Sequence, residues 1–171
     1  MVIAMKSFWI CAVSILAALM AGCAGQRDKL VLDPVGPVQT TSRQPSHEGF
    51  LMVYSAYDAG AHFYSREYDG REFSDYSIFD GHDQLLRKIQ NSTDSMIEEP
   101  ATVSLPPGEY KVIARANGYG NVTVPVTIEQ NQRTIIHLEG GKPGSELAGA
   151  DLGKMVRLPD GQIVGVRSKP Q

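Results

Sequence analysis

Two neighbouring stretches near the middle of the chain leave little choice of secondary structure. In residues 109–117, Tyr110, Val112, Ala114 and Ala116 take every second position, with Lys111, Ile113 and Arg115 between them. In residues 121–128, Val122, Val124, Val126 and Ile128 alternate with Thr123, Pro125 and Thr127. A period of two sets the apolar residues on one face of an extended strand and the others on the opposite face. Asn117-Gly118-Tyr119-Gly120 turns the chain between them. Pro125 has no N–H to give to a ladder, which predicts an edge position or a bulge for its strand.

The same texture runs from residue 50 to residue 138. Residues 50–57 are apolar on both alternating faces, as in a strand buried on two sides. Residues 75–79 and 84–90 flank Asp80-Gly81-His82-Asp83, a hairpin signal, and residues 101–105 run into the preset turn Pro106-Pro107-Gly108. Glu129-Gln130-Asn131-Gln132 turns into a last strand over 133–138. About seven short strands with turn signals every ~8–12 residues predict an all-β fold, a single antiparallel Greek-key-like β-sandwich over residues 49–139. The 171 residues amount to one domain with extensions. Residues 140–171 read as a linker followed by a C-terminal β-hairpin, with residues 155–158 and 162–166 flanking Pro159-Asp160-Gly161. A lone hairpin is marginal in water, so this one is expected to dock on the sandwich or on another molecule.

The first residues have a different character. Lys6 precedes an apolar run that ends at Leu19-Met20-Ala21-Gly22-Cys23. A short positive region, an apolar region and small residues make a secretory signal over residues 1–22, helical while it lasts. The run is shorter than the ~20 apolar residues of a spanning helix and has no charged stop-transfer flank. Met20-Ala21-Gly22-Cys23 resembles the bacterial lipobox. The resemblance implies a diacylglyceryl group on the Cys23 sulfur, cleavage before Cys23, and a membrane held through lipid as the first partner. Ala24 in place of Asp after that cysteine implies the periplasmic face of the outer membrane if the cell has one. The only other cysteine, Cys11, leaves with the signal, so no disulfide remains to explain Cys23. Residues 23–48, rich in Pro, Gly and small polar residues, then read as a flexible tether, with Leu30-Val31-Leu32 as an apolar knot inside it.

A second resemblance concerns the sandwich. Leu105-Pro106-Pro107-Gly108-Glu109-Tyr110, with Gly118-Tyr119 at the end of the next strand, resembles the carboxypeptidase-regulatory-like and PEGA-type modules. These are transthyretin-like sandwiches of bacterial envelope proteins. The resemblance implies a fold and a setting, and no reaction.

Catalytic templates find no match: the chain has no G-x-S-x-G elbow, no H-E-x-x-H and no phosphate-binding G-x-x-x-x-G-K-[ST]. His47, His62, His82 and His137 are scattered, and His137 falls in the outward phase of its strand. Asp80-Gly81-His82-Asp83 offers too few oxygens for calcium, and neither metal nor cofactor is expected. Asn91-Ser92-Thr93 only spells a glycosylation acceptor. The net charge of −3 gives nucleic acid no footprint. What exceeds structural need is the mixture of aromatics and charges in residues 57–79, of which Tyr57, His62, Tyr64, Tyr68 and Phe73 are the candidate binding surface. The expected function is a lipid-anchored, non-catalytic binding or structural module of the cell envelope, with an envelope protein or a glycan as partner. One alternative is an accessory hydrolase built from loop residues such as His62, His82 and Asp83. Another is a subunit of a larger envelope complex, joined through the 155–166 hairpin.

Overall fold

A computed structural model of the chain describes residues 29–38, 46–58, 72–91, 99–141, 147 and 151–169. Residues 1–28, and with them the signal and Cys23, lie outside that set. In chain order the strands among the described residues are β1 (Leu30–Val31), β2 (Pro37–Val38), β3 (Gly49–Tyr54), β4 (Tyr76–Phe79), β5 (Leu85–Ile89) and β6 (Thr102–Leu105). They continue with β7 (Gly108–Ala116), β8 (Gly120–Ile128), β9 (Arg133–His137), β10 (Met155–Arg157) and β11 (Ile163–Val166).

The strands form a five-stranded sheet in the order β1-β8-β7-β4-β5 and a four-stranded sheet in the order β2-β9-β3-β6. Their facing sides share one core. Ile78, Val112, Val122 and Val124 come from the first sheet, and Leu51, Val53, Val103 and Ile136 from the second. The architecture is therefore all-β and sandwich-like, as the alternation predicts, and neither sheet closes on itself. Val112, Ala114 and Ala116 point inward from β7, and Val122, Val124, Val126 and Ile128 from β8.

Pairing is mixed, which corrects the expectation of a purely antiparallel sandwich. β1 runs parallel to β8, and β3 runs parallel to β9. A turn signal fixes direction only for strands that a tight turn joins, and these two pairs meet across long stretches of intervening chain. β8 has a neighbour on each side, so Pro125 is not on an edge. Its missing N–H instead falls where the pairing with the N-terminal segment slips, between Val31↔Thr123 and Val35↔Val126.

That N-terminal segment is the larger correction. Within residues expected to be tether, Leu32 and Val35 belong to the core, and Val35 is fully buried. The Val35 N–H donates to Pro125 O at 2.9 Å, and its carbonyl accepts from Thr127 N at 2.9 Å. Pro37 and Val38 then pair with β9, so the segment steps from an edge of one sheet to an edge of the other. Residues 29–38 are part of the sandwich because that side of the core would otherwise stand open to water.

The C-terminal hairpin completes the same wall. Val156, Leu158 and Val164 enter the main core. Gly36 N donates to Val166 O at 2.7 Å, Ser168 N donates to Pro34 O at 2.9 Å, and Arg167 pairs with Asp33 at 2.8 Å. Gly165 is where the wall is thinnest: a Cβ there would sit 2.7 Å from Val35 Cγ1 and 2.9 Å from Ile135 O. Of the two docking options the sequence left open, the hairpin takes the sandwich.

At the turn between β4 and β5, Asp80 Oδ1 accepts the N–H groups of Gln84 and His82, each at 2.9 Å. The Gln84 bond first, and the His82 bond and charge after it, hold the Asp80 carboxyl below its ordinary range. A group depressed in the folded state favours folding above its unfolded pKa, and the contribution disappears as pH falls through the folded value. Urea midpoints measured from pH 6 down to pH 2.5 should therefore fall less steeply for Asp80→Asn than for the native chain.

Candidate functional site at one end of the sandwich

Backbone bonds gather several strand ends at one end of the molecule. Ala56 N donates to Arg115 O at 2.7 Å, Leu138 N to Tyr54 O at 2.7 Å, and Asn117 N to Leu138 O at 2.8 Å. Leu30, at the start of β1, lies opposite Val122 near the same end. Segment 59–71 leaves and returns there, since Asp58 N donates to Glu72 O at 2.9 Å and Tyr57 bridges Phe73. Segment 92–98 does likewise between Asn91 and Ala101, and the chain after Gly141 departs from the same place. The opposite end, among the described residues, has the short turns at 80–84, 106–107 and 129–132, and segment 39–45 leaves and returns there, between Val38 opposite Arg133 and Ser46 bonded to Asn131.

An aromatic cluster occupies the first end. Tyr54 and His137 are register partners on β3 and β9, which puts them side by side on the outer face of the four-stranded sheet. Their rings stack with centroids 4.6 Å apart and planes 12° off parallel. Phe73 meets Tyr54 edge-on at 5.5 Å and stacks on Tyr57 at 5.0 Å. Tyr54 and Tyr57 are half-buried, whereas Phe73 is buried. At the margin Arg115 donates to Tyr57 O and pairs with Asp58 Oδ1 at 2.8 Å. The result is a flat ring surface beside a cation and a carboxylate.

Below it lies a buried polar pair. His137 Nδ1 is 2.9 Å from Glu139 Oε1, with side chains only 4% and 10% exposed. A carboxylate acceptor makes Nδ1 the donor, so the lone pair of the neutral ring lies on Nε2. His137 Nε2 and Glu139 Oε2 are both buried without a hydrogen-bond partner. The alternation correctly turned His137 away from the main core. His137 is nonetheless buried there, hydrogen-bonded to Glu139 and covered by the Tyr54 ring, which itself packs on an outer cluster of Ile135, Leu147 and Met155.

An imidazole oriented by a carboxylate is half of an acid–base pair, yet the Tyr54 ring covers its face. The pair reads first as an architectural one. His137→Phe keeps the stack and strands the Glu139 carboxylate, so it should cost about 1–3 kcal/mol. Adding Glu139→Leu should recover most of that loss. A double-mutant cycle by urea denaturation, on the chain beginning at Ala24, measures the coupling.

Of the residues the sequence singled out, Tyr57 and Phe73 come together here, and Tyr54, His137, Glu139 and Arg115 join them unforeseen. His62, Tyr64 and Tyr68 lie outside the described residues. His82 and Asp83, named for a hydrolase, sit in the turn at the opposite end from the place where segment 59–71 leaves, and Asp83 pairs with Lys111. No group of three metal-ligating side chains occurs among the described residues, and none of their helices is long and apolar enough to cross a membrane. Comparison with protein-family models, with curated proteins and with solved structures finds no match.

Proposed function

We propose that the chain is a lipid-anchored cell-envelope module that binds a partner through one end of its sandwich and catalyses no reaction. The observation that carries this reading is the grouping of its connections. Segment 59–71, thirteen residues, and segment 92–98 open at the end where Tyr54, Tyr57, Phe73 and Arg115 lie, whereas the other end has only segment 39–45 besides its tight turns. A rigid sandwich that gathers its longer connections at one end is a common arrangement for recognition. Half-buried tyrosines beside an arginine give flat contact area at low entropic cost.

The anchor rests on the lipobox resemblance at Met20-Ala21-Gly22-Cys23. Consecutive strands pass repeatedly from one sheet to the other, which favours the Greek-key-like, transthyretin-like reading of the sandwich. An envelope protein or a glycan is the expected partner, with the outer membrane as the setting if the cell has one.

Two measurements test the proposal. Cells fed labelled palmitate should label the native protein and not Cys23→Ala, and equal labelling of both overturns the anchor. A photo-crosslinking residue at position 57 should capture a discrete adduct in cells that the same residue at position 109, at the other end, does not. Adducts alike from both positions, or from neither, overturn the binding end.

A further inference from the structure

We infer that the anchor holds the sandwich with its Tyr57–Arg115 end at the bilayer surface and its turn end directed away from it. This rests on the lipid at Cys23 proposed above and adds an orientation to it. The reason is the length of chain left free. A tether running from residue 23 to residue 48 would let the sandwich take any attitude. The first backbone hydrogen bonds come much earlier, because Leu30 already lies opposite Val122 and Leu32 N donates to Thr123 O at 2.9 Å.

From Cys23 to Lys29 the chain takes only six steps, with a reach of about 20 Å even fully extended. β7 and β8, nine residues each, make the sandwich roughly 30 Å long at ~3.3 Å per residue. β1 joins the sandwich at the end where β8 begins and β7 finishes. That end is confined close to the lipid headgroups, and the bilayer excludes the half-space in which the other end could approach equally often. Asn121 and Arg115 are register partners at the near end, whereas Glu109 pairs with Thr127 at the far end. The half-buried Tyr57 and Arg115 therefore meet whatever lies at the membrane surface.

The single tryptophan, Trp9, leaves with the signal, so one introduced tryptophan reports alone in the mature chain. The exposed strand positions 121 and 109 each accept it, as Asn121→Trp and Glu109→Trp. Lipid-modified protein purified from membranes is placed in phosphatidylethanolamine and phosphatidylglycerol vesicles carrying a dansyl headgroup acceptor. Energy transfer from position 121 should exceed that from position 109 by about twofold or more, given the ~30 Å between the ends. A long Gly/Ser insertion after Gly25 should bring the two values together, because it restores the freedom that six residues deny. Equal transfer from both positions without the insertion, or a difference that the insertion leaves unchanged, overturns the orientation. Protein that carries no acyl group and does not float with vesicles overturns the anchor, and the orientation with it.

Discussion

Val35→Asp should unfold the protein, whereas Val31→Asp, four residues earlier, should leave its stability nearly unchanged. Val35 is fully buried, its backbone is bonded to β8 on one side, and it bridges Arg167 on the other. A carboxylate placed there has no partner and must be protonated or exposed. The expected loss is about 4 kcal/mol or more, a large part of the ~5–15 kcal/mol that holds a domain together. Val31 is 62% exposed, so its substitution should stay within about 0.5 kcal/mol. Val35→Ala supplies an intermediate, at about 1–3 kcal/mol, that still folds and can be measured. Urea denaturation followed by circular dichroism of the chain from Ala24 gives the Val35→Ala and Val31→Asp values and should show no folding transition for Val35→Asp. If residues 29–38 were tether, the three variants would melt with the native chain, and that result would return the segment to solvent.

This contrast shows where the sequence was readable. β7 and β8 follow the alternation of residues 109–128 almost to the residue, because one face meets a core and the other meets water. β3 emerges at Gly49–Tyr54, since its apolar residues serve the core with Leu51 and Val53 and the covered outer face with Met52. The hairpins at 80–84 and 159–161 were local turn chemistry and were visible as such. β1 showed only as the apolar knot Leu30-Val31-Leu32 and β2 not at all, because two-residue strands carry no period. Their burial comes from partners about ninety positions away.

The site was half legible for the same reason. Tyr57 and Phe73 stand out as aromatics in a charged loop region, whereas Tyr54 and His137 look like ordinary members of their strands. The parallel pairing of β3 with β9 sets them side by side, and Tyr54 packs there on a cluster that Leu147 and Met155 complete from the C-terminal part of the chain. Sequence spacing holds no record of either event.

Asn91→Ala should be the most damaging substitution of a polar residue, at about 3 kcal/mol, although the sequence recommends Asn91 only as the first letter of a glycosylation acceptor. The side chain is fully buried. Its Nδ2 donates to Val53 O at 2.8 Å and to Ser55 Oγ at 3.0 Å, while its Oδ1 accepts the Ala101 N–H at 3.1 Å. Ser55 Oγ in turn donates to Ser74 O at 2.5 Å. One amide at the end of β5 thus ties the five-stranded sheet to the end of β3 and the start of β6 in the other sheet. Alanine would leave a carbonyl and an N–H buried without partners, each costing about 1–3 kcal/mol before water enters. Nearby, the Ser74 and Tyr76 hydroxyls are already buried without partners, and burial pushes the Tyr76 phenol far above its usual range, so little spare bonding exists to absorb the loss. Asn91→Asp should cost more than alanine, because a carboxylate has no N–H for Val53 and brings a charge into the core. Hydrogen exchange supplies the local signature: the Ala101 amide should lose protection in Asn91→Ala under conditions where the β7 and β8 amides keep theirs. A stable Asn91→Ala with a protected Ala101 amide would show that the two sheets hold together at this end by apolar packing alone.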